Sequence, residues 1–290
     1  MYPEGPIYWQ YGTNFHVMML AACKPLGRDI KDDPIMGAAG NSILHLTSPT
    51  RLVYNFADGG AARAIPSAAQ CWLATQYKDA GQASHVRDLF TRILDEEKSE
   101  VSRDRWFPLS ILWLPDAPTG VKPASKAAVF KGEQAMALFR SGWSPDAAWF
   151  ALKGGTAAAS HGHMDVGSFA YDAHGTRWIH DLGPENYNLP GYFGSKRWTY
   201  FRLQNRSHNT LEIGGKLQNA RSKPCPLTAS SLTGDVLAAT FDLTDSYAGS
   251  ATRVLRGAKF DPESGSVRIE DEITAPCGDV VWRAYTDAKV

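Results

Sequence analysis

The sequence lacks an excess of charge of either sign. Its 290 residues include 30 Lys and Arg and 30 Asp and Glu, which gives a formal net charge of zero. Proteins that attract nucleic acid or anionic membranes over long distances carry a basic excess, so we expect neither partner. No apolar run reaches the roughly 18 residues that span a bilayer, so we expect no transmembrane segment. The sequence leaves the oligomeric state open.

Cysteine is scarce and scattered. The four cysteines form no C-x-x-C pair, which excludes a zinc knuckle and a thioredoxin-type redox motif and leaves their disulfide state open; they are Cys23, Cys71, Cys225 and Cys277. The N-terminal residues show no basic stretch followed by an apolar one, so no signal peptide is visible. The chain starts in what looks like the middle of a domain, and we expect it to be part of a longer protein.

Residues 1–122 have the pattern of helices. In residues 84–100, apolar side chains recur every three or four positions between charged ones, which is typical of an amphipathic helix. Shorter apolar segments predict further helices, several of them bounded by Pro or Gly. These segments are 14–22, 41–46, 66–77 and 106–114.

From residue 123 onward the pattern changes to short apolar runs separated by Gly, Asp and Pro. Many short strands with regular turn signals favour an antiparallel β-sandwich, and residues 131–134 and 172–175 are predicted hairpin turns. We therefore predict an α+β fold, with a helical domain over 1–122 and a β-sandwich over 123–290.

Histidine and acid side chains are concentrated in residues 159–169. His161, His163 and Asp165 stand at alternate positions, and on an extended strand such side chains project from one face. A face with two imidazoles and a carboxylate suits a metal site or acid–base chemistry better than a core. The alternative is that these are hydrogen-bonded surface or loop groups.

Two further groups of the same kind follow, Asp181 and His208. Histidine nitrogen and carboxylate oxygen are ligands that zinc takes in a tetrahedral arrangement. The long connection between them, rich in Gly, Tyr and Arg, has the character of a functional loop.

The succession of helices, sandwich and the motif H-G-H-x-D-x-G-S-F resembles the heparinase II/III-like polysaccharide lyases, a family that includes heparin, heparan sulfate, alginate and oligoalginate lyases. Further matches follow the family's order: E-G-P-I-Y at 4–8, F-A-D-G-G at 56–60, D-L-G at 181–183 and H-N-T-L at 208–211. The resemblance implies the C-terminal part of an (α/α) toroid over 1–122, followed by the antiparallel β-sandwich.

The resemblance also implies roles for individual residues. His163, Asp181 and His208 would bind a structural Zn²⁺, while His161 would face the substrate. Tyr8 matches best the family's general acid/base tyrosine, and Tyr11 is the nearby alternative. Without the resemblance, Tyr8 has the pattern of an ordinary packed helix residue.

Substrate-binding residues are expected in the long loop. Tyr192 matches the loop tyrosines that contact substrate in related lyases, and Arg202 is a candidate for gripping anionic groups, together with Arg197 and Arg206. The alternative for these arginines is that they are solvated loop charges.

The function that the resemblance implies is β-elimination of an acidic, uronate-containing polysaccharide or oligosaccharide by a Tyr/His acid–base pair. Two other functions stay open: a glycan-binding fragment without turnover, and a zinc-dependent hydrolase with Asp165 as base. Family members are usually periplasmic or secreted. They also carry, upstream of the E-G-x-x-Y segment, a residue that neutralises the substrate carboxylate, so we expect this chain to be incomplete and inactive alone.

Overall fold

A computed structural model describes residues 2–27, 34–96, 104–117, 120–123 and 125–289. The chain divides into two compact units. The sheet unit comprises Met1–Gly5, Ser48–Ala62 and Lys126–Val290, and the helical unit comprises Pro6–Thr47 and Arg63–Ser125. The predicted boundary after residue 122 lies close to the end of the helical unit. The sheet unit, however, also takes two short segments from the part of the chain that we predicted to be helical.

The helical unit is built around one buried helix. Its α-helices within the described residues are α1 (Pro6–Cys23), α2 (Pro34–Leu46), α3 (Ala68–Gln76), α4 (Ala80–Glu96) and α5 (Phe107–Leu112). The side chains of α3 are buried from Ala68 to Ala74, and the other four helices all contact it.

A side chain of α1 satisfies the start of α3. Ser67 precedes α3 but makes no capping bond through its own side chain. Instead, Asn14 Oδ1 accepts from the Ala69 N–H at 2.8 Å and from the Ser67 hydroxyl at 3.3 Å. A free N–H at a buried helix start is costly, so this bond links the two helices.

The predicted helices are present, with different ends. Helix α1 starts eight residues before the apolar segment 14–22 and takes in Tyr8 and Tyr11. Helix α4 covers 80–96 instead of 84–100, and residues 97–100 lie outside the described residues. None of the described helices is both long and apolar enough to cross a bilayer.

Within its described residues, the sheet unit contains three antiparallel sheets. The strands in chain order are β1 (Ala127–Phe130), β2 (Met136–Arg140), β3 (Trp149–Lys153), β4 (Phe169–Ala173), β5 (Thr176–Ile179), β6 (Leu211–Ile213), β7 (Leu227–Ser231), β8 (Leu237–Asp242), β9 (Arg253–Phe260), β10 (Val267–Thr274) and β11 (Val280–Trp282). One sheet has the order β1-β2-β3-β4-β5, the second β10-β9-β8-β7, and β6 pairs with β11.

All three sheets contribute to one hydrophobic core. Phe139 and Phe150 from the first sheet, Phe241 and Phe260 from the second, and Leu211 from β6 belong to the same buried cluster. In β8, buried and partly buried residues alternate along the strand, as expected when one face of a strand packs on a core. The predicted mixed class of helices and antiparallel sheet is confirmed.

The predicted hairpin turns are also confirmed. Strands β4 and β5 are joined by His174 and Gly175, which both have positive φ (52° and 71°). A two-residue hairpin with left-handed residues fits the twist of the strands. His174 is therefore a turn residue and lies outside the candidate site.

Candidate functional site

The H-x-H-x-D segment is a loop, and our prediction that it forms a strand is wrong. Residues 154–168 connect β3 to β4, largely through turns. His161 has a left-handed φ of 58°, and a Cβ on Gly162 would lie 2.6 Å from the Ala157 carbonyl oxygen. The chain is thus sharply bent at this point, so alternate side chains do not share one face.

The two motif histidines meet at one carboxylate, that of Asp58. His161 Nδ1 donates to Asp58 Oδ2 at 2.7 Å, and His163 Nε2 donates to Asp58 Oδ1 at 2.9 Å. The Tyr192 hydroxyl and an Arg197 nitrogen also donate to Oδ1, at 2.5 and 3.2 Å. Although burial opposes it, the hydrogen bonds from His163 and Tyr192 lower the pKa of Asp58 to about 2.

His161 is the motif histidine that reaches solvent, with 30% of its side chain exposed. Its Nε2 lies 2.9 Å from Glu4 Oε1, and the Phe193 ring stands edge-on 5.3 Å away. It lines a cleft of about 400 Å³, called here the His161 cleft, together with Ala157, Ala158, Ala159, Ser160, Phe193, Arg197, Trp198, Ala220 and Arg221.

The lining of the His161 cleft combines cations with aromatic rings. Arg221 is exposed, whereas Arg197 is buried, and its NH1 has no hydrogen-bond partner among the described residues. The Arg197 guanidinium lies 5.5 Å from the Trp198 ring centroid. None of the lining residues is an acid. Such a lining can hold an anionic group beside a sugar ring.

His163 and His208 form a second, fully buried group. Their ring centroids are 5.3 Å apart, and His208 Nδ1 donates to Asp181 Oδ2 at 2.6 Å. Burial lowers the pKa of His163. Burial acts in the same direction on His208, but the charge of Asp181 outweighs it and raises the pKa of His208.

His163 Nδ1 and His208 Nε2 are buried and have no hydrogen bond among the described residues. An unpaired buried imidazole nitrogen is costly and is also the atom a metal would use. Asp181, the third predicted ligand, accepts from His208 and from the Gly183 N–H at 2.8 Å. As placed, no three His, Cys, Asp or Glu groups of the described residues converge on one metal position.

Asp165 belongs to a separate buried ion pair. Its Oδ1 accepts from Lys153 Nζ at 2.6 Å, and both side chains are almost completely buried. Its Oδ2 accepts from the Ala57 N–H at 3.1 Å. Burial opposes ionisation, but the Lys153 charge keeps the pKa of Asp165 below its ordinary value. This carboxylate is thus engaged in holding two loops together.

The predicted substrate-binding residues have other contacts. Tyr192 is only 1% exposed and its hydroxyl is bonded to Asp58, so a direct contact with substrate would require that bond to open; the neighbouring Phe193 is the exposed ring. The Arg202 guanidinium donates to the Leu182 carbonyl oxygen. Arg206 pairs with Glu212 at 3.3 Å. Of the loop arginines, Arg197 is the one that lines the His161 cleft.

The predicted acid–base tyrosines are in the helical unit. Tyr8 is partly buried on α1. Tyr11, one turn further along, is 48% exposed, packs edge-on against Phe15 at 5.2 Å and lies under the Arg105 guanidinium. Both stay candidates for the acid–base role.

Sequence reasoning missed the partners of the histidines. Asp58 lies in the F-A-D-G-G segment, which we used as a family match without assigning its acid a role, and Glu4 lies in E-G-P-I-Y. In the sequence, these two partners are marked only by the presence of one acid in each of these two family-like segments. Lys153, the partner of Asp165, was also missed, because a lysine at the end of an apolar strand has the pattern of an exposed residue.

Comparison with known proteins defines the class. A sequence model of the family described as "Heparinase II/III-like, C-terminal" matches residues 132–285. Since this match spans just over half of the chain, the protein belongs to the heparinase II/III-like family. A comparison with proteins of curated function found no match.

Solved structures share the fold. A heparan sulfate lyase HepC mutant from Pedobacter heparinus matches 99% of this chain with a TM-score of 0.69 and 14% identity. A heparinase III, the BT4657 gene product, matches 97% with a TM-score of 0.66 and 16% identity. The chain spans 41% and 39% of the length of these two proteins.

Proposed function

We propose that this chain contributes to a polysaccharide lyase that cleaves uronic-acid-containing glycans by β-elimination. The proposal depends mainly on the position of His161. Its ring lies between the carboxylates of Asp58 and Glu4, at the wall of a cleft lined by arginines and aromatic rings. Family membership and the fold shared with heparan sulfate lyases support the same reaction class.

The reaction places clear demands on the site. A base removes the proton from C5 of the uronate, the C4–O bond breaks, and a C4=C5 double bond forms while an acid protonates the leaving oxygen. The C5 proton is only weakly acidic, so the adjacent carboxylate must be neutralised. His161 and a tyrosine, Tyr8 or the alternative Tyr11, are the proposed acid–base pair. The helical unit would be the end of an (α/α) toroid and the sheet unit a β-sandwich.

An acidic polysaccharide or oligosaccharide is the proposed partner. Arg197 NH1 has no hydrogen-bond partner in the part of the chain that the structure describes. This supports binding of a carboxylate or sulfate in the His161 cleft, because a buried guanidinium nitrogen is costly to leave unpaired. Phe193 is 59% exposed and offers a ring face to an apolar sugar surface. We propose a periplasmic or secreted location on the basis of the family alone.

A structural zinc is part of the proposal. His163 and His208 each offer an unpartnered buried nitrogen, which supports a metal between them, and Asp181 is the third proposed ligand. Zinc at these residues would supply cross-linking of the loops that carry them. Asp181 would then either bind the metal in place of its present contact with His208, or keep that contact and orient His208 toward the metal.

The test is to incubate this chain, and the longer protein if one contains it, with heparan sulfate, heparin, alginate and oligoalginate. Lyase action raises the ultraviolet absorbance of the unsaturated uronate product, whereas a neutral glucan serves as the control substrate. New reducing ends without that absorbance would indicate hydrolysis and overturn the proposal. Tight binding without product in both forms would support the glycan-binding alternative. The hydrolase alternative has little support, since Asp165 is ion-paired with Lys153.

A further inference from the structure

Asp58 contacts both motif histidines, although it is more than 100 residues away from them in the sequence. It lies in a tight turn in which the Gly59 N–H donates to the Phe56 carbonyl at 3.0 Å, and its own N–H donates to the His161 carbonyl at 3.2 Å. Ala57 before it has a left-handed φ of 52°. Backbone and side chain of this turn thus both hold the loop that carries His161.

The carboxylate is fixed from the other side as well. The Tyr192 hydroxyl donates to Oδ1 at 2.5 Å, and an Arg197 nitrogen donates to the same oxygen at 3.2 Å. Asp58 is 2% exposed, so water contributes little to its hydrogen bonding. With so many donors around it, this group is held as an ionised acceptor.

An acceptor of this kind requires a protonated nitrogen on each ring at the side that faces it. A carboxylate accepts hydrogen bonds and donates none, so the nitrogens that face it must be protonated: Nδ1 of His161 and Nε2 of His163. The opposite nitrogens are directed elsewhere. His161 Nε2 lies 2.9 Å from a second carboxylate oxygen, Glu4 Oε1, so at His161 the contact with Asp58 fixes the orientation of the ring. His163 Nδ1 is buried and has no hydrogen-bond partner among the described residues.

We propose that Asp58 is a positioning residue that orients two histidines at once. Through Oδ2 it holds the Nδ1 side of His161, so that Nε2 faces Glu4 at the cleft, and through Oδ1 it holds Nε2 of His163, so that Nδ1 faces the buried group around His208. One carboxylate thereby couples the proposed acid–base site to the proposed metal site. The effect on catalysis rests on the proposed function, whereas the tautomers do not.

The first experiment measures the tautomers directly in the metal-free protein. Long-range ¹H–¹⁵N NMR spectra of the histidine-labelled chain report which ring nitrogen is protonated, and H161A and H163A assign the signals. We expect a proton on Nδ1 of His161 and on Nε2 of His163. A neutral His161 protonated only on Nε2 would overturn the proposal, and this result needs no folded Asp58 variant.

The second experiment replaces the acceptor by an amide. In D58N, one side of the group becomes an NH₂ donor that cannot face a ring N–H. We therefore expect at least one of the two histidines to change its protonated nitrogen. D172N is the matched control, because Asp172 is equally buried in the same unit and bonds to Arg177 and Thr50. Unchanged tautomers in folded D58N would contradict the proposal.

The third experiment applies to whichever form of the protein shows lyase activity. D58N should lower kcat by about 10²- to 10⁴-fold and change KM little, as expected for loss of a correctly oriented proton-transfer group. A rise in KM with kcat unchanged would overturn the catalytic part of the proposal. If no form has lyase activity, the proposed function fails while the NMR result still decides the tautomers.

Discussion

His161 and His163 are separated by one residue, but their surroundings are opposite. His161 is partly exposed at a cleft with arginines and aromatic rings, whereas His163 is fully buried against His208. Both donate to Asp58. The comparison shows that a short motif can place its two histidines in different surroundings when the backbone turns within it.

The reversal has an identifiable cause. The left-handed conformation at His161 and the close approach of Gly162 to the Ala157 carbonyl turn the chain inside the motif. At Gly167, φ is 84°, and a Cβ there would lie 2.8 Å from the side chains of Leu243 and Thr210. Glycine is thus required at 162 and at 167, because the Cβ of a larger residue would collide with backbone at 162 and with packed side chains at 167.

The largest expected effect is the loss of lyase rate when His161, the histidine at the cleft, is replaced. His161→Ala should lower the lyase rate of the active form by about 10²- to 10⁴-fold, the usual contribution of a general acid or base, while the protein remains folded. The rate is followed by absorbance of the unsaturated product. His16→Ala, at an exposed position of α1, is the control and should retain full activity. A His161→Ala enzyme of normal rate would remove His161 from the mechanism.

The next effect concerns the buried ion pair behind the motif. Lys153→Met should lower the free energy of unfolding by about 3–5 kcal/mol, because it leaves the Asp165 carboxylate buried without its partner. Urea denaturation measures the change. Lys259→Met removes an exposed pair with Glu270 and should cost less than about 1 kcal/mol. Equal effects of the two variants would contradict the assignment of Lys153 as a buried structural group.

Protonation of Asp58 at low pH should weaken its hydrogen bonds to His161 and His163. The pKa of Asp58 is about 2 in the folded protein, below its ordinary value of 3.8. A lowered carboxyl pKa stabilises the fold above the ordinary value, and that stability is lost as the pH falls through the folded value. The stability difference between wild type and Asp58→Asn should therefore narrow by about 1 kcal/mol between pH 5 and pH 2, after allowance for solvent screening. A difference that is constant with pH would contradict this.

The smallest effect is expected at the rim of the cleft. Phe193→Leu should raise KM about 2- to 10-fold with little change in kcat, since an aromatic contact contributes about 0.5–1.5 kcal/mol. Phe201→Leu provides the control at a similarly exposed ring outside the cleft lining. A change in kcat instead of KM would mean that Phe193 acts on His161 rather than on the sugar.

Much of the fold could be predicted from the sequence. Strands β1, β5 and β9 lie in the region from residue 123 onward that the short apolar runs predict to be strands, because such runs and the turn residues between them are local signals. Helix α1 was predicted too short, since Pro6 and the aromatic residues after it carry no periodic apolar signal. The segments 2–5 and 48–62 could not be assigned to the sheet unit, because only long-range contacts place them there.

The site was predicted in part. The relevant histidines were identified, but their arrangement on a strand was wrong, because a left-handed residue cannot be read from alternation alone. Asp58 and Glu4 were missed as partners, since hydrogen bonds between distant segments leave no local pattern. The zinc ligands, the acid–base tyrosine and the roles of Tyr192 and Arg202 stay predictions.

The different roles of His161 and His163 are tested by the zinc content of the purified protein, measured by elemental analysis for wild type, His161→Ala and His163→Ala. We expect near-stoichiometric zinc in wild type and in His161→Ala, and loss of zinc in His163→Ala. Loss of zinc in both variants would place the two histidines in one site, and a folded wild type without zinc after exposure to the metal would remove the buried site. Either result would contradict the division between the two histidines.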